Sequence, residues 1–156
     1  MIYNLVPATV DDATWLERLR RDVYRDLFQA TFGSWDEARH IRHFTECWER
    51  GGISIIKVQD AAVGMIQLFS KSDSLEICEI QIQQGRQNQG IGTKILLDTI
   101  ARAHSEGKTV TLSVGLKNVR AFRLYTRLGF DKVANDDTHN HMACRIANRS
   151  AGSDVR

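Results

Sequence analysis

Residues 83–96 read QQGRQNQGIGTKIL, with three glycines, four glutamines and no acid between a β-branched run and a helix-forming one. Small, uncharged residues at that density make the backbone itself the working part. A strand that runs through glycines into a helix leaves the first helical N–H groups without intrahelical acceptors, and these, with the helix dipole, favour an anion. Phosphate is the natural guest. Two familiar phosphate loops do not fit. Gly85 and Gly90 have the P-loop separation, but Ile91 stands where lysine is required. Gly90 and Gly92 are followed by Ile95 where a dinucleotide fingerprint needs its third glycine. Further along, His139, His141 and Cys144 carry ligand atoms, yet HxH on alternate strand positions plus one thiol is a poor metal site, and no metal is expected.

The loop needs a strand before it and a helix after it, and the periodicity predicts both. Leu75 to Gln83 alternates as a strand; Ile91, Ile95, Leu96, Thr99, Ile100 and Ala103 line one face of a helix over 90–106 that Gly107 terminates. TVTLSV (109–114) follows as a strand, so 75–114 forms a β-α-β unit. Upstream, Ile2 to Val6 reads as a strand stopped by Pro7. Thr9 and Asp12 have capping-box spacing before a helix over roughly 10–30, and Ser34 opens a second helix carrying Trp35, Ala38, Ile41 and Trp48. ISIIKV and AAVGMIQLF, separated by Gln59 and Asp60, pair antiparallel. Downstream, Asn118 opens a short helix with Ala121, Leu124, Tyr125 and Leu128, closed by Gly129, and FDKVA and THNHMACRI end the chain as strands. The order β-αα-βββ-α-β-α-ββ predicts an α/β (α+β) domain with a mixed, mostly antiparallel central sheet and helices on both faces. One domain spans 1–146, and 147–156 reads as a flexible tail.

The pattern Gln87-x-x-Gly90-x-Gly92 resembles the acyl-CoA loop of the GNAT superfamily of N-acyltransferases. Its surroundings agree: Glu76, eleven residues before Gln87, begins EICEIQI, which is similar to the family's acid-bearing fourth strand. Asn118-x-x-Ala121-x-x-x-Tyr125-x-x-Leu128-Gly129-Phe130 is similar to the NxxAxxxYxxxGF signature with its spacing intact. The likeness covers 75–130, and the element order extends it to about 146. Gln84 departs from it where many relatives have proline.

This resemblance implies an N-acetyltransferase that moves an acetyl group from acetyl-CoA, its co-substrate, to a primary amine of a small molecule or peptide within a ternary complex. A cytoplasmic address is expected on other grounds, since the first residues, MIYNLVPATVDD, lack a basic start followed by a long apolar run. Backbone amides of Gln87, Asn88, Gln89, Gly90, Ile91, Gly92 and Thr93 would hold the coenzyme diphosphate, main chain around Ile80 and Ile82 would pair with the pantetheine arm, and Asn118 would bond near the pantetheine or the thioester. Glu76 is the candidate base. It shares a strand face with Cys78, Ile80 and Ile82, and apolar neighbours push a carboxyl up from about 4.3. Glu79 on the opposite face, a water or a histidine are the other bases left open. Tyr125 is the candidate acid for the leaving thiolate, a transfer costing roughly 2 kcal/mol between a phenol near 10 and a thiol near 8.5. Trp35, His40 and His43 fall in the segment that borders the acceptor in similar folds, where a core or surface role is the better explanation of each. The alternative is an inactive acyl-CoA-binding sensor, which needs the loop but neither Glu76 nor Tyr125.

Composition narrows the partners. Residues 83–130 hold eight Lys or Arg against Asp98 and Glu106, although the chain's net charge is only +2. That local field suits a polyanion. The basic residues lack the interleaved aromatics of a single-strand binder, so nucleic acid is not the expected partner. No apolar stretch approaches the roughly 20 residues of a membrane helix, so no membrane partner is expected. Three scattered cysteines fit reduced thiols better than a disulfide framework. The acceptor's identity and the oligomeric state, a homodimer included, are not legible.

Overall fold

The computed structural model describes residues 1–147. The tail expected over 147–156 lies, after Ala147, outside them. The elements run β1 (Asn4–Pro7), α1 (Ala13–Phe32), α2 (Glu37–Arg50), β2 (Ile53–Val58), β3 (Ala61–Ser70), β4 (Ser74–Ile82), α3 (Ile91–Ser105), β5 (Thr109–Gly115), α4 (Val119–Arg127), β6 (Asp131–Asn135) and β7 (His139–Cys144). This is the expected order. Among the described residues, seven strands make one mostly antiparallel sheet in the order β1-β2-β3-β4-β5-β7-β6. No helix among the described residues is long and apolar enough to cross a membrane.

By contact density the chain divides into two compact units: Met1–Phe69 with Ile77–Leu96, and Ser70–Glu76 with the chain from Leu97 onward. In the first unit, Leu16 and Leu19 of α1 pack with Ile53, Ile55 and Met65 of the sheet, all under a tenth exposed, and Trp15, Val23, Phe44 and Trp48 close around them. Each fully buried aliphatic side chain of this kind contributes about 1.5–3 kcal/mol. The β2–β3 hairpin turns on Gln59 and Asp60, both in the left-handed region (φ 52° and 65°), the geometry of a two-residue type I′ turn. Gly64 of β3 is obligatory for a different reason: a Cβ there would collide with the Gln81 carbonyl oxygen of β4.

Three sequence expectations shift here. The helix over 10–30 divides into a 3-10 turn at Val10–Asp12 and α1 proper, with the Asp12 carboxylate accepting the Thr9 N–H at 2.8 Å. Asp36, not Ser34, caps α2, accepting the Arg39 N–H at 3.0 Å. Asp36 has the extended backbone an N-cap needs, and Ser34 is spent in the connector after Gly33. The phase of α2 also differs, because Ile41 is 44% exposed whereas His40 is 2% exposed. His40 can be buried because both ring nitrogens have partners, Glu17 Oε1 at 2.9 Å and Arg20 at 2.8 Å.

In the second unit, Val110, Leu112 and Val114 of β5 are buried, as are Phe130 and, on β7, Met142, Ala143 and Cys144. β7 pairs antiparallel with β5 and with β6, Ser113 opposite His141 and Leu112 opposite Met142. Asn118 caps α4 as expected, its Oδ1 accepting the Ala121 N–H at 3.3 Å. Gly129 leaves the helix at φ 104°, where a side chain would be strained.

Candidate active site

In the first unit, β4 ends at Ile82, the chain makes a short 3-10 turn at Gln84–Arg86, and α3 begins at Ile91. The glutamines hold this loop by its main chain. Gln87 Nε2 donates to the Ile82 carbonyl at 2.9 Å, Gln84 Nε2 to the Asp22 carbonyl at 2.6 Å, and Gln83 N–H to the Val63 carbonyl at 2.8 Å. Asn88 and Gly90 are in the left-handed region, φ 62° and 83°, so the chain reverses twice before the helix. The Lys94 N–H closes the first helical bond on the Gly90 carbonyl at 3.0 Å. The N–H groups of Ile91, Gly92 and Thr93 therefore stand at the helix start, where no intrahelical acceptor exists.

The backbone around these groups is open. A Cβ at Gly90 or Gly85 would meet nothing within 4 Å, and one at Gly92 only Ile82 Cγ1 at 3.7 Å. Arg86, which the sequence reading passed over, contributes a buried Nε with no hydrogen-bond partner. An uncharged backbone cradle with an unpaired guanidinium nitrogen in the same loop fits an anion such as a diphosphate. Ile91 is anchored by its side chain, 2% exposed, while Gln89 is exposed with its Nε2 reaching the Gly85 carbonyl at 3.4 Å. Ile80 and Ile82 are half-buried on β4.

Glu79 also belongs to this unit. Tyr24 of α1 donates its hydroxyl to Glu79 Oε2 at 2.8 Å, and Gln81 Nε2 reaches the same oxygen at 3.3 Å. Nearby, burial pushes the Cys47 thiol up to about 11, with the Glu79 charge adding to the effect, so this sulfur is no nucleophile at neutral pH. Glu17, Glu37 and His40 bring ligand atoms within 4.8 Å of one another. Arg21 donates to both carboxylates, so the cluster is an ion-paired network already supplied with its cation. A shallow depression of about 400 Å³ lined by Pro7, Trp48, Gly52 and Ser54 presents no titratable side chain.

The remaining sequence candidates, Glu76, Asn118 and Tyr125, lie in the second unit. Glu76 is half-buried near the start of β4. Tyr125 is half-buried on α4, its ring edge-on to Phe130 at 5.7 Å, and its carbonyl accepts the N–H groups of Leu128 and Phe130. The amide oxygen of Asn118 is committed to its cap. His139, His141 and Cys144 do not converge: His139 bonds to Thr138, His141 to Ser113 and Asp136, and Cys144 is buried. That pairing of Ser113, His141 and Asp136 had no signal in the spacing of the chain, because it arises from strand register.

Comparison with known proteins points one way. The model of the Acetyltransferase (GNAT) family matches residues 20–130. Among solved structures, the fold is similar to that of a PaiA N-acetyltransferase from Thermoplasma acidophilum in complex with coenzyme A (TM-score 0.71, 16% identity, 93% of this chain and 99% of that one). It is also similar to the ribosomal-protein-S18-alanine N-acetyltransferase from Escherichia coli (TM-score 0.67, 17% identity, 95% and 97%). The spore coat polysaccharide biosynthesis protein SpsD from Bacillus subtilis (strain 168) is 28% identical over 138 residues, 82% of this chain and 47% of that protein. The chain thus spans about half the length of that curated relative.

Proposed function

The chain belongs to the acetyltransferase (GNAT) family; from that premise we propose that it is an acyl-CoA-dependent N-acyltransferase with acetyl-CoA as co-substrate, transferring the acetyl group directly to a primary amine of a small molecule or peptide. The observation that carries the donor half is the open backbone from Gln87 to Thr93 at the start of α3, with Gly90 and Gly92 leaving room for the coenzyme diphosphate. The main chain near Ile80 and Ile82 would meet the pantetheine arm, and Asn118 would act from the far side of its cap. The Ile82 carbonyl already accepts from Gln87, so the pairing there falls to neighbouring groups.

The chemistry asks three things of the chain. A nitrogen must lose protons, an oxyanion must be stabilised, and a thiolate must receive a proton. An alkyl amine with pKa about 10.4 is neutral only about once in 2,500 molecules at pH 7, so a base is needed. Glu76 is the proposed carboxylate base on the nitrogen and Tyr125 the proposed acid on sulfur. Glu79 is less suited to the task, because its Oε2 is already bonded by Tyr24 and Gln81. A binding-only sensor is not favoured by the family match.

The relatives name unlike substrates, one a spore-coat polysaccharide pathway and one a ribosomal-protein alanine, so they do not choose an acceptor. The direct test is a panel of small amines, amino acids, amino sugars and N-terminal peptides with acetyl-CoA, read by released thiol. Thiol release with one amine class is expected. Tight coenzyme binding with no release on any class would overturn the reading.

A further inference from the structure

Ser113 on β5, His141 on β7 and Asp136 in the β6–β7 turn form a continuous hydrogen-bonded chain within the second unit. Ser113 Oγ lies 2.7 Å from His141 Nδ1, and His141 Nε2 lies 2.9 Å from Asp136 Oδ2. The register sets it: Ser113 faces His141 across the β5–β7 ladder. The two oxygens of Asp136 divide their labour. Oδ1 accepts the Thr138 N–H at 2.8 Å, the His139 N–H at 2.8 Å and the Thr138 hydroxyl at 3.0 Å, which closes the turn. Oδ2 is left to hold the imidazole, a bond the turn does not need.

The proton positions follow from Asp136. The backbone N–H groups of Thr138 and His139, then the Thr138 hydroxyl, hold its carboxyl far below the usual carboxylate range, so it is ionised at neutral pH and has no proton to give. His141 Nε2 must therefore be the donor in that bond; whenever the ring carries a single proton its Nδ1 is an acceptor, and Ser113 donates to it. The lone pairs of Ser113 Oγ are then directed away from the histidine. Ser113 is exposed and the His141 side chain is 39% exposed, so an incoming amine can reach the relay.

We propose that Ser113, His141 and Asp136 are a proton relay that deprotonates the acceptor ammonium, with Ser113 Oγ meeting the nitrogen, His141 receiving the proton and Asp136 positioning the ring. This rests on the acetyl-transfer reading above and narrows the part of Glu76 to the second nitrogen proton, released once the C–N bond has formed. The nitrogen gives one proton to Ser113 Oγ as the serine proton passes to His141 Nδ1, producing a free amine and an imidazolium beside the Asp136 carboxylate. The amine lone pair forms the C–N bond at the thioester carbonyl and the C–S bond then breaks. The second nitrogen proton goes to Glu76, the thiolate takes one from Tyr125, exchange with solvent returns Glu76 and Tyr125 to their starting states, and the imidazolium releases the first proton to solvent. One proton is released per turnover, as conversion of an ammonium and a thioester to an amide and a thiol requires.

The groups facing His141 are few. β5 presents Ser113, with uncharged Thr111 two positions away; β6 presents Ala134 opposite it and Asn135 beyond; the turn presents Asp136; and His139 is the next residue on its own strand face. The test needs two arms. In the first, nitrogen-15 NMR of the intact protein reads the His141 tautomer, expected to be Nε2–H; an Nδ1–H tautomer overturns the relay, because Ser113 then has nowhere to send its proton. In the second, thiol release is followed with n-butylamine, an ammonium at neutral pH, and with methoxyamine, which is already neutral there. His141→Gln and Ser113→Ala should lower kcat/KM for butylamine by about 10²-fold or more. They should leave methoxyamine nearly unaffected and move the acidic limb of the butylamine pH profile upward. Asp136→Asn, which keeps Oδ1 for the turn but sets an amide donor against Nε2, favours the Nδ1–H tautomer and should lower butylamine turnover as much as His141→Gln.

Equal losses with both amines indicate a structural role and overturn the proposal, as does full butylamine activity in His141→Gln. An acetyl group on Ser113 in the intact mass would make it a nucleophile instead, which also overturns it. If the wild type acetylates no amine in the full panel, it is the acetyl-transfer reading that fails, and the tautomer alone then decides the relay's geometry.

Discussion

Gly92→Ala separates the stability of the chain from its grip on the coenzyme. Gly92 is the second residue of α3, and a Cβ built there touches only Ile82 Cγ1 at 3.7 Å, an ordinary van der Waals contact. Nothing in the protein resists the methyl group. Alanine in a helix is favoured over glycine by up to about 1 kcal/mol, so the variant should be more stable, with a Tm higher by about 2–4 °C for a chain of this size. The coenzyme should respond with the opposite sign. If the Gly92 amide and its neighbour approach a diphosphate oxygen, a methyl group in the way removes one charge-assisted hydrogen bond worth about 1.5–3 kcal/mol, or roughly a tenfold to hundredfold weaker Kd. The assay is thermal unfolding with and without coenzyme A, together with calorimetric titration. At a concentration 100 times the wild-type Kd, coenzyme A should stabilise the wild type by about 2.7 kcal/mol and a variant weakened tenfold by only about 1.4 kcal/mol. A variant that is more stable yet binds coenzyme A with unchanged affinity would refute the idea that this backbone holds the diphosphate.

Gly90→Ala should behave differently, losing about 1–3 kcal/mol of stability because φ is 83° there, measurable by denaturant titration without ligand. Gly64→Ala should cost about 1–3 kcal/mol or more, since the new methyl would drive into the Gln81 carbonyl; chemical denaturation reads this, and an unchanged midpoint would contradict the packing. Tyr125→Phe should lower kcat by roughly 10²-fold or more while leaving the KM for acetyl-CoA in place, checked by steady-state kinetics. Cys47 should alkylate slowly at pH 8, where a thiol with pKa about 11 is only about 0.1% thiolate, measured by peptide mass spectrometry of the folded protein. Asp136, whose folded pKa is depressed, contributes to its turn fully above the unfolded value of about 3.9, and the contribution is lost only as pH falls towards the lower folded value. Hydrogen exchange at Thr138 and His139 should therefore stay protected at pH 4 and be released in Asp136→Ala.

The order of elements was legible because each carries a clean period and a local stop: Ile91 to Ala103 at helical spacing with Gly107 behind it, or ISIIKV turning at Gln59 and Asp60. Asn118 was legible as a cap for the same local reason. The errors came where two residues compete for one local role or where partners are distant. Ser34 and Asp36 are both good caps, and only the chain path after Gly33 chooses between them. Ile41 looked like core, but His40 took the buried phase because Glu17 and Arg20, some twenty residues away, satisfy its ring. The candidate loop was visible because Gly85, Gly90 and Gly92 lie close together in the sequence ahead of a clean helical period. The Ser113–His141–Asp136 chain was invisible, because its first link depends on strand register, which spacing along the chain does not contain.

β7, the last strand among the described residues, is paired on both sides, between β5 and β6. A nascent chain released no further than β6 therefore holds two strands with nothing to join them, and the exposed ladder of β5 is open to other chains. Stops or nicks just upstream of His139 should yield insoluble protein rather than a weakened enzyme, even though every residue of the proposed coenzyme loop has already been made.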